Sequence, residues 1–131
     1  MAKWSVSLDA IASKSIEKIE KVVQEVTYQM FFEIAIGSPV DTGLFRGNWR
    51  CSQGSYSDST YAVLDKSATN ATAEAGKASD FKIGGIIYYV NNLEYAMGLE
   101  YGNSRQAPAG MVRITAANFD YYLKRSISIH A

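Results

Sequence analysis

The sequence has a single cysteine, Cys51, in 131 residues, which excludes an internal disulfide and any thiolate zinc cluster. A buried strand position is the expectation for that residue, and a reducing compartment suits it. Charge of one sign is missing too: thirteen basic side chains cancel thirteen acidic ones, so no global field draws the molecule to nucleic acid or to an anionic membrane. No apolar run approaches the ~20 residues needed to cross a bilayer, and the segment MAKWSVSLDAIASKSIEK lacks the apolar stretch of an export signal. A soluble protein with no membrane partner is therefore expected. The one histidine, His130, lies beside the C-terminus, where a catalytic base is not expected. Neither Glu94 with Glu100 nor Gly84-Gly85 has the spacing of a metal or phosphate site, so no metal and no cofactor are expected.

What is present is amphipathic periodicity. From Leu8 to Ile36, the residues Leu8, Ile11, Ile16, Ile19, Val23, Val26, Met30 and Ile34 recur mostly at steps of three or four, the signature of one helix face. Ser7 or Asp9 is a fitting cap, and Gly37 followed by Pro39 ends the pattern. Such a helix is roughly 40 Å long at ~1.5 Å per residue. With Val22, Phe31 and Phe32 its apolar stripe is wide enough to serve a neighbouring subunit as well as one core. Trp49 and Cys51 alternate with Arg50 and Ser52 as in a strand, and the run Ile86 to Val90 reads as a second strand, with Trp49, Ile86, Tyr88 and Val90 expected in the sheet core. Between them, a variable region of about 53–82 reads as an exposed hairpin or loop plus a short alanine-rich helix near Thr69 to Asp80. A second amphipathic helix is predicted from Ala109 or Gly110 to Ser126 through Met111, Ile114, Ala117, Phe119, Tyr122 and Leu123. The fold class is α+β: a long N-terminal helix and a C-terminal helix packed on a small antiparallel sheet, in one domain spanning 1–131.

The triplet Asp41-Thr42-Gly43 is the one that carries the catalytic carboxylate of aspartic proteases, where a homodimer brings two aspartates together to share a proton. Here it follows a helix and Ser38-Pro39 rather than an apolar strand, and leads into Leu44-Phe45-Arg46. A structural turn is the better reading: Asp41 accepting backbone hydrogen bonds, Gly43 taking positive φ, Pro39 fixing the entry. Arg46 or Arg50 is then placed to pair with Asp41 or Glu33. A small nucleic-acid-binding module is the other alternative, with Tyr88, Tyr89, Tyr95 and Tyr101 stacking bases while Arg105, Arg113, Lys124 and Arg125 meet phosphates.

Two segments go beyond pattern: SPVDTGLFRGNWR after the long helix, and YYVNNLEYAMGLEYGNSRQAPAGMVRITAANF before the last one. Together they resemble the neck and tail-completion proteins of long-tailed bacteriophages. Pro39, Asp41, Thr42, Gly43 and Arg46 match the first block. Asn91, Asn92, Tyr95, Ala96, Glu100, Tyr101, Gly102, Gln106, Ala107, Pro108, Gly110 and Met111 match the second. The two blocks cover under half of the chain but stand in the expected order, with the expected helices outside them.

The resemblance implies a virion structural protein, not an enzyme, in a ring, for which a hexamer is the family expectation. Its implied partners are its own copies, other connector and tail-tube proteins, and DNA passing through the channel without sequence recognition. It implies synthesis in the host cytoplasm and a final place in the virion. Asp41 and Arg46 are then expected to form a polar lock at the base of the long helix. The loop Glu100 to Val112 is expected to dock other proteins through Glu100, Tyr101, Arg105, Gln106, Pro108 and Met111.

Overall fold

The computed structural model describes the backbone over residues 2–130 and the side chains over 12–130. Its first element, α1, runs over Ala2–Gly37. The helix starts earlier than the predicted caps: Ser7 and Asp9 lie within it, and single residues of modest helix propensity cost only a few tenths of a kcal/mol. The side chains of Leu8 and Ile11 lie outside the described residues. At the other end the predicted stop holds. Gly37 closes the helix, and buried Ser38 donates from Oγ to the Ile34 carbonyl at 2.7 Å, satisfying one of the last helical acceptors.

A short 3₁₀ turn, Arg46–Asn48, leads into β1, Arg50–Gln53, which pairs antiparallel with β2, Ile87–Val90. Cys51 stands opposite Tyr89, and residues directly opposite in an antiparallel pair share a face. Trp49 and Cys51 are buried as expected, and the register therefore turns Tyr89 inward with them. Ile86, Tyr88 and Val90 were expected in the sheet core, but alternation puts them in the opposite phase to Tyr89, and Ile86 is exposed. An unbroken apolar run conceals which phase is buried; the partner strand decides it. Tyr89 stacks between Phe31 of α1 and Trp49, with centroids 4.6 and 4.8 Å away, and donates from its hydroxyl to the Ala71 carbonyl at 2.7 Å.

The alanine-rich segment forms α2, Thr69–Ala75, followed by a 3₁₀ turn, Gly76–Asp80. It brings Ala68, Ala71, Ala75 and Ala78 into the interior. Their steps of three and four make one face, and methyl-sized side chains let that face approach α1 closely. Asp65, itself buried, accepts the Ala71 N–H at 2.8 Å and so caps the start of α2.

After β2 the chain makes a helical turn, α3, Ala96–Glu100. The predicted C-terminal helix is two helices, α4, Val112–Ala117, and α5, Phe119–His130. Asn118 marks the break, donating from Nδ2 to the Ile114 carbonyl at 3.1 Å and competing with the regular backbone ladder. Part of the predicted apolar face turns outward: Met111 is buried, whereas Ile114 and Phe119 are exposed. The architecture is α+β, with α1 running past the small sheet, the core drawn from Ile34, Ala35, Phe45, Trp49, Ala107 and Met111, and α5 packed along α1.

Candidate functional site

The two motif blocks meet at the C-terminal end of α1. Gln106 grips the backbone of Val40 from both sides: its Nε2 donates to the Val40 carbonyl and its Oε1 accepts the Val40 N–H, both at 2.8 Å. Asn91 adds a second tie, donating from Nδ2 to the Phe45 carbonyl at 2.7 Å. A side-chain amide offers a donor and an acceptor side by side, so Gln106 reads one residue's backbone as a neighbouring strand does.

Arg46 is the lock of the turn, though not with the expected partner. Its guanidinium donates to three carbonyls, Ser38 at 3.0 Å through Nε, Lys66 at 2.7 Å through Nη1 and Ile36 at 2.9 Å through Nη2. These close the end of α1 and tie it to the loop before α2. The pairing of Arg46 or Arg50 with Asp41 or Glu33 is not what the structure shows. Arg50 donates to the Gly47 and Trp49 carbonyls and lies over the Tyr61 ring at 3.9 Å, while Glu33 accepts from Gln29. Carbonyls win because the helix C-terminus and the reversing chain present several unpaired acceptors within reach of one fork of donors.

Asp41 is exposed, and among the described residues its carboxylate has neither a hydrogen bond nor an ion pair, so its expected role as backbone acceptor is not filled. Thr42 takes that role, its Oγ1 accepting the Leu44 N–H at 3.3 Å. Gly43 has φ +91°, and a Cβ on it would sit 2.6 Å from the Asp65 nitrogen. The turn is packed against the loop before α2 and leaves no space for a side chain. Pro39 is buried behind it. The residues 39–45 face a cleft of about 250 Å³ shared with Tyr95, Leu99, Ser104 and Gln106, in which Asp41 is the sole carboxylate among the described residues.

In the second block, Glu100 anchors α4. Its Oε1 accepts the N–H groups of Met111 and Val112 at 2.8 Å, and its Oε2 accepts the Arg113 N–H at 2.9 Å and Arg113 Nε at 3.2 Å. Burial raises the Glu100 pKa, and the three backbone donors with Arg113 outweigh that and leave it below the usual glutamate range. Of the six residues expected to dock, three are therefore spent within the fold: Glu100 on α4, Gln106 on Val40, and Met111 in the core. Tyr101, Arg105 and Pro108 remain exposed, Tyr101 carrying Arg113 over its ring at 4.6 Å, with Met97 exposed on the same surface.

The four tyrosines of the base-stacking alternative are dispersed. Tyr89 is in the aromatic stack, where burial pushes its hydroxyl pKa well up, Tyr88 meets Tyr56 on the other face of the sheet, and Tyr95 and Tyr101 are exposed elsewhere. Cys51 is buried with its thiol pKa pushed up to about 11 by burial. Among the described residues no cluster of His, Cys, Asp or Glu has the makings of a metal site.

Asn48 is a structural residue that pattern reading missed. Fully buried, it donates to the Leu44 and Tyr61 carbonyls and accepts the Tyr61 N–H at 2.7 Å, pinning the loop beyond β1 to the turn. Asp65 is the second, and a cap-forming Asp a few residues before an alanine run is a signal that was available. None of the protein families, curated proteins or solved structures compared with the chain matches it.

Proposed function

We propose that the chain is a virion structural protein at the head–tail junction of a long-tailed phage, a neck, tail-completion or tail-terminator subunit that forms a ring and joins the DNA-filled head to the tail. The observation that supports this reading is the interlocking of the two blocks that carry the resemblance. Residues far apart in sequence, Val40 with Gln106 and Phe45 with Asn91, are bonded directly to each other, so both blocks belong to one structural unit. In that unit the Asp-Thr-Gly triplet is a packed turn rather than a catalytic strand end. A ring subunit needs rigid contact surfaces held to fixed angles, and a helix whose exit is clamped by Arg46 supplies such a frame. The ring is a hexamer on this reading, its other partners are connector and tail-tube proteins, and DNA passes its channel without being read.

The test is quantitative mass spectrometry of purified particles, together with electron microscopy of particles made without the chain. The proposal expects the protein in virions at a ring's stoichiometry, and filled heads lying apart from tails when it is missing. Joined, infectious particles without the chain overturn it.

A further inference from the structure

Asp41 is the residue of the turn that the fold leaves idle. Pro39 is buried, Thr42 and Gly43 hold the turn and Arg46 clamps it, whereas the Asp41 carboxylate borders the cleft with neither a hydrogen bond nor an ion pair among the described residues. No basic side chain among the described residues lines that cleft. Its wall also carries Tyr95, 48% exposed and tilted against Phe45 with ring centroids 6.3 Å apart. The carbonyls of Pro39, Asp41 and Thr42 accept no hydrogen bond among the described residues.

The chain itself shows what such a set of groups holds. Arg113 is seated on the Glu100 carboxylate at 3.2 Å, the Glu100 carbonyl at 2.6 Å and the Tyr101 ring at 4.6 Å. Arg50 rests on two carbonyls and the Tyr61 ring. Carboxylate, carbonyl and tyrosine face are the seat of a guanidinium in this fold, because its planar fork donates at the edge and stacks through its face. The cleft has the same three kinds of group and no guanidinium.

We propose that the cleft is a docking site for an arginine side chain presented by a partner protein. Size agrees: small-molecule pockets run about 300–1,000 Å³, and a cleft of about 250 Å³ suits one long side chain. The main-chain N–H groups of Asp41, Thr42 and Gly43 are also unpaired among the described residues, and alone they would suit an anion. The fixed charge of Asp41 decides for a cation. An arginine within a polypeptide answers both features, its guanidinium meeting the carboxylate and the carbonyls of its own chain meeting those N–H groups. A free diamine brings a second positive charge, for which the cleft has no second carboxylate among the described residues. Lysine brings a point charge without a planar face to lay on Tyr95. The site goes beyond the head–tail reading and stands on the cleft alone.

The test is a nuclear magnetic resonance titration of the full chain with Nα-acetyl-arginine N-methylamide. Two compounds run beside it: the citrulline counterpart, which keeps the shape without the charge, and agmatine, a free guanidinium with a second amine. Expected are saturable shifts of the Val40, Gly43 and Leu99 amides with a millimolar dissociation constant, the range of a single exposed ion pair. Asp41→Asn and the citrulline compound should each weaken binding at least about fivefold, with thermal unfolding of the variant unchanged. No saturable shift at the cleft, equal affinity in Asp41→Asn, or equal affinity for the citrulline compound overturns the site. Agmatine bound several-fold more tightly than the blocked arginine assigns the cleft to a free amine and overturns the protein partner. The titration uses the free chain, so its failure leaves the head–tail reading standing, and particles that lack the chain leave the cleft standing.

Discussion

At its C-terminal end α1 hands its polar groups to the same chain: Ser38 returns to Ile34, Arg46 takes three carbonyls, and Ile34 and Ala35 are buried. Burial on the helix reaches back to Val26 and falls away before it, and over residues 12–19 each described side chain faces solvent. One helix thus serves two purposes. The clamped end spends its groups on making the fold, and the open end keeps an apolar stripe that no other described residue covers. The difference teaches that apolar periodicity marks one face of a helix without saying how much of that face the fold covers.

The largest effects are expected at the clamped end. Gly43→Ala forces a side chain into positive φ and against the Asp65 backbone, and a loss of about 3 kcal/mol or more in chemical denaturation is the prediction. Arg46→Met removes three charge-assisted bonds to carbonyls near a helix end and should cost about 3 kcal/mol. Its neighbour in sequence sharpens the contrast: Asp41→Ala should change stability by no more than ~0.5 kcal/mol, because its carboxylate is exposed. Equal losses for Arg46→Met and Asp41→Ala would break the account of the lock.

A middle-sized effect belongs to Glu100→Gln, expected to cost about 1–2 kcal/mol through weakened anchoring of the Met111, Val112 and Arg113 N–H groups. The sign with pH follows from the lowered folded-state pKa. The unfolded chain binds the proton more tightly, so this stabilisation is present above the unfolded glutamate pKa and is lost as pH falls through the folded one. Acid titration of thermal stability should therefore be flatter in Glu100→Gln than in the parent. The smallest effect is expected at the open end and on the loop 100–112: Ile16→Glu and Arg105→Glu should each leave the free chain within ~0.5 kcal/mol of the parent. On the proposed reading Arg105→Glu nevertheless impairs joining, since a charge reversal builds repulsion into a contact.

The α+β architecture was legible where local signals agreed: the stop at Gly37 and Pro39, the strand at Cys51, the alanine helix. Pairing was not. Ile86 to Val90 reads as uniformly apolar, and the inward phase came from Cys51 standing opposite Tyr89. The alanine helix was readable as a helix, but not its packing: Ala68, Ala71, Ala75 and Ala78 serve as the close-approach face on α1. At the site, the turn and its glycine were readable from Pro39 to Gly43. The destination of Arg46 was not, since backbone carbonyls leave no mark in a sequence. Glu100 and Gln106 drew notice as polar loop residues, yet their work is internal, and only the folded chain shows Gln106 reaching Val40.

Amide hydrogen exchange, measured on the dilute chain and again on the proposed ring, tests the division of α1 most directly. The account predicts strong protection near Ile34, Ala35 and the strand at Cys51 in both states, and much faster exchange over residues 12–19 in the free chain that slows on assembly. Protection over 12–19 in the dilute monomer equal to that at Ile34, with no change on assembly, would contradict it.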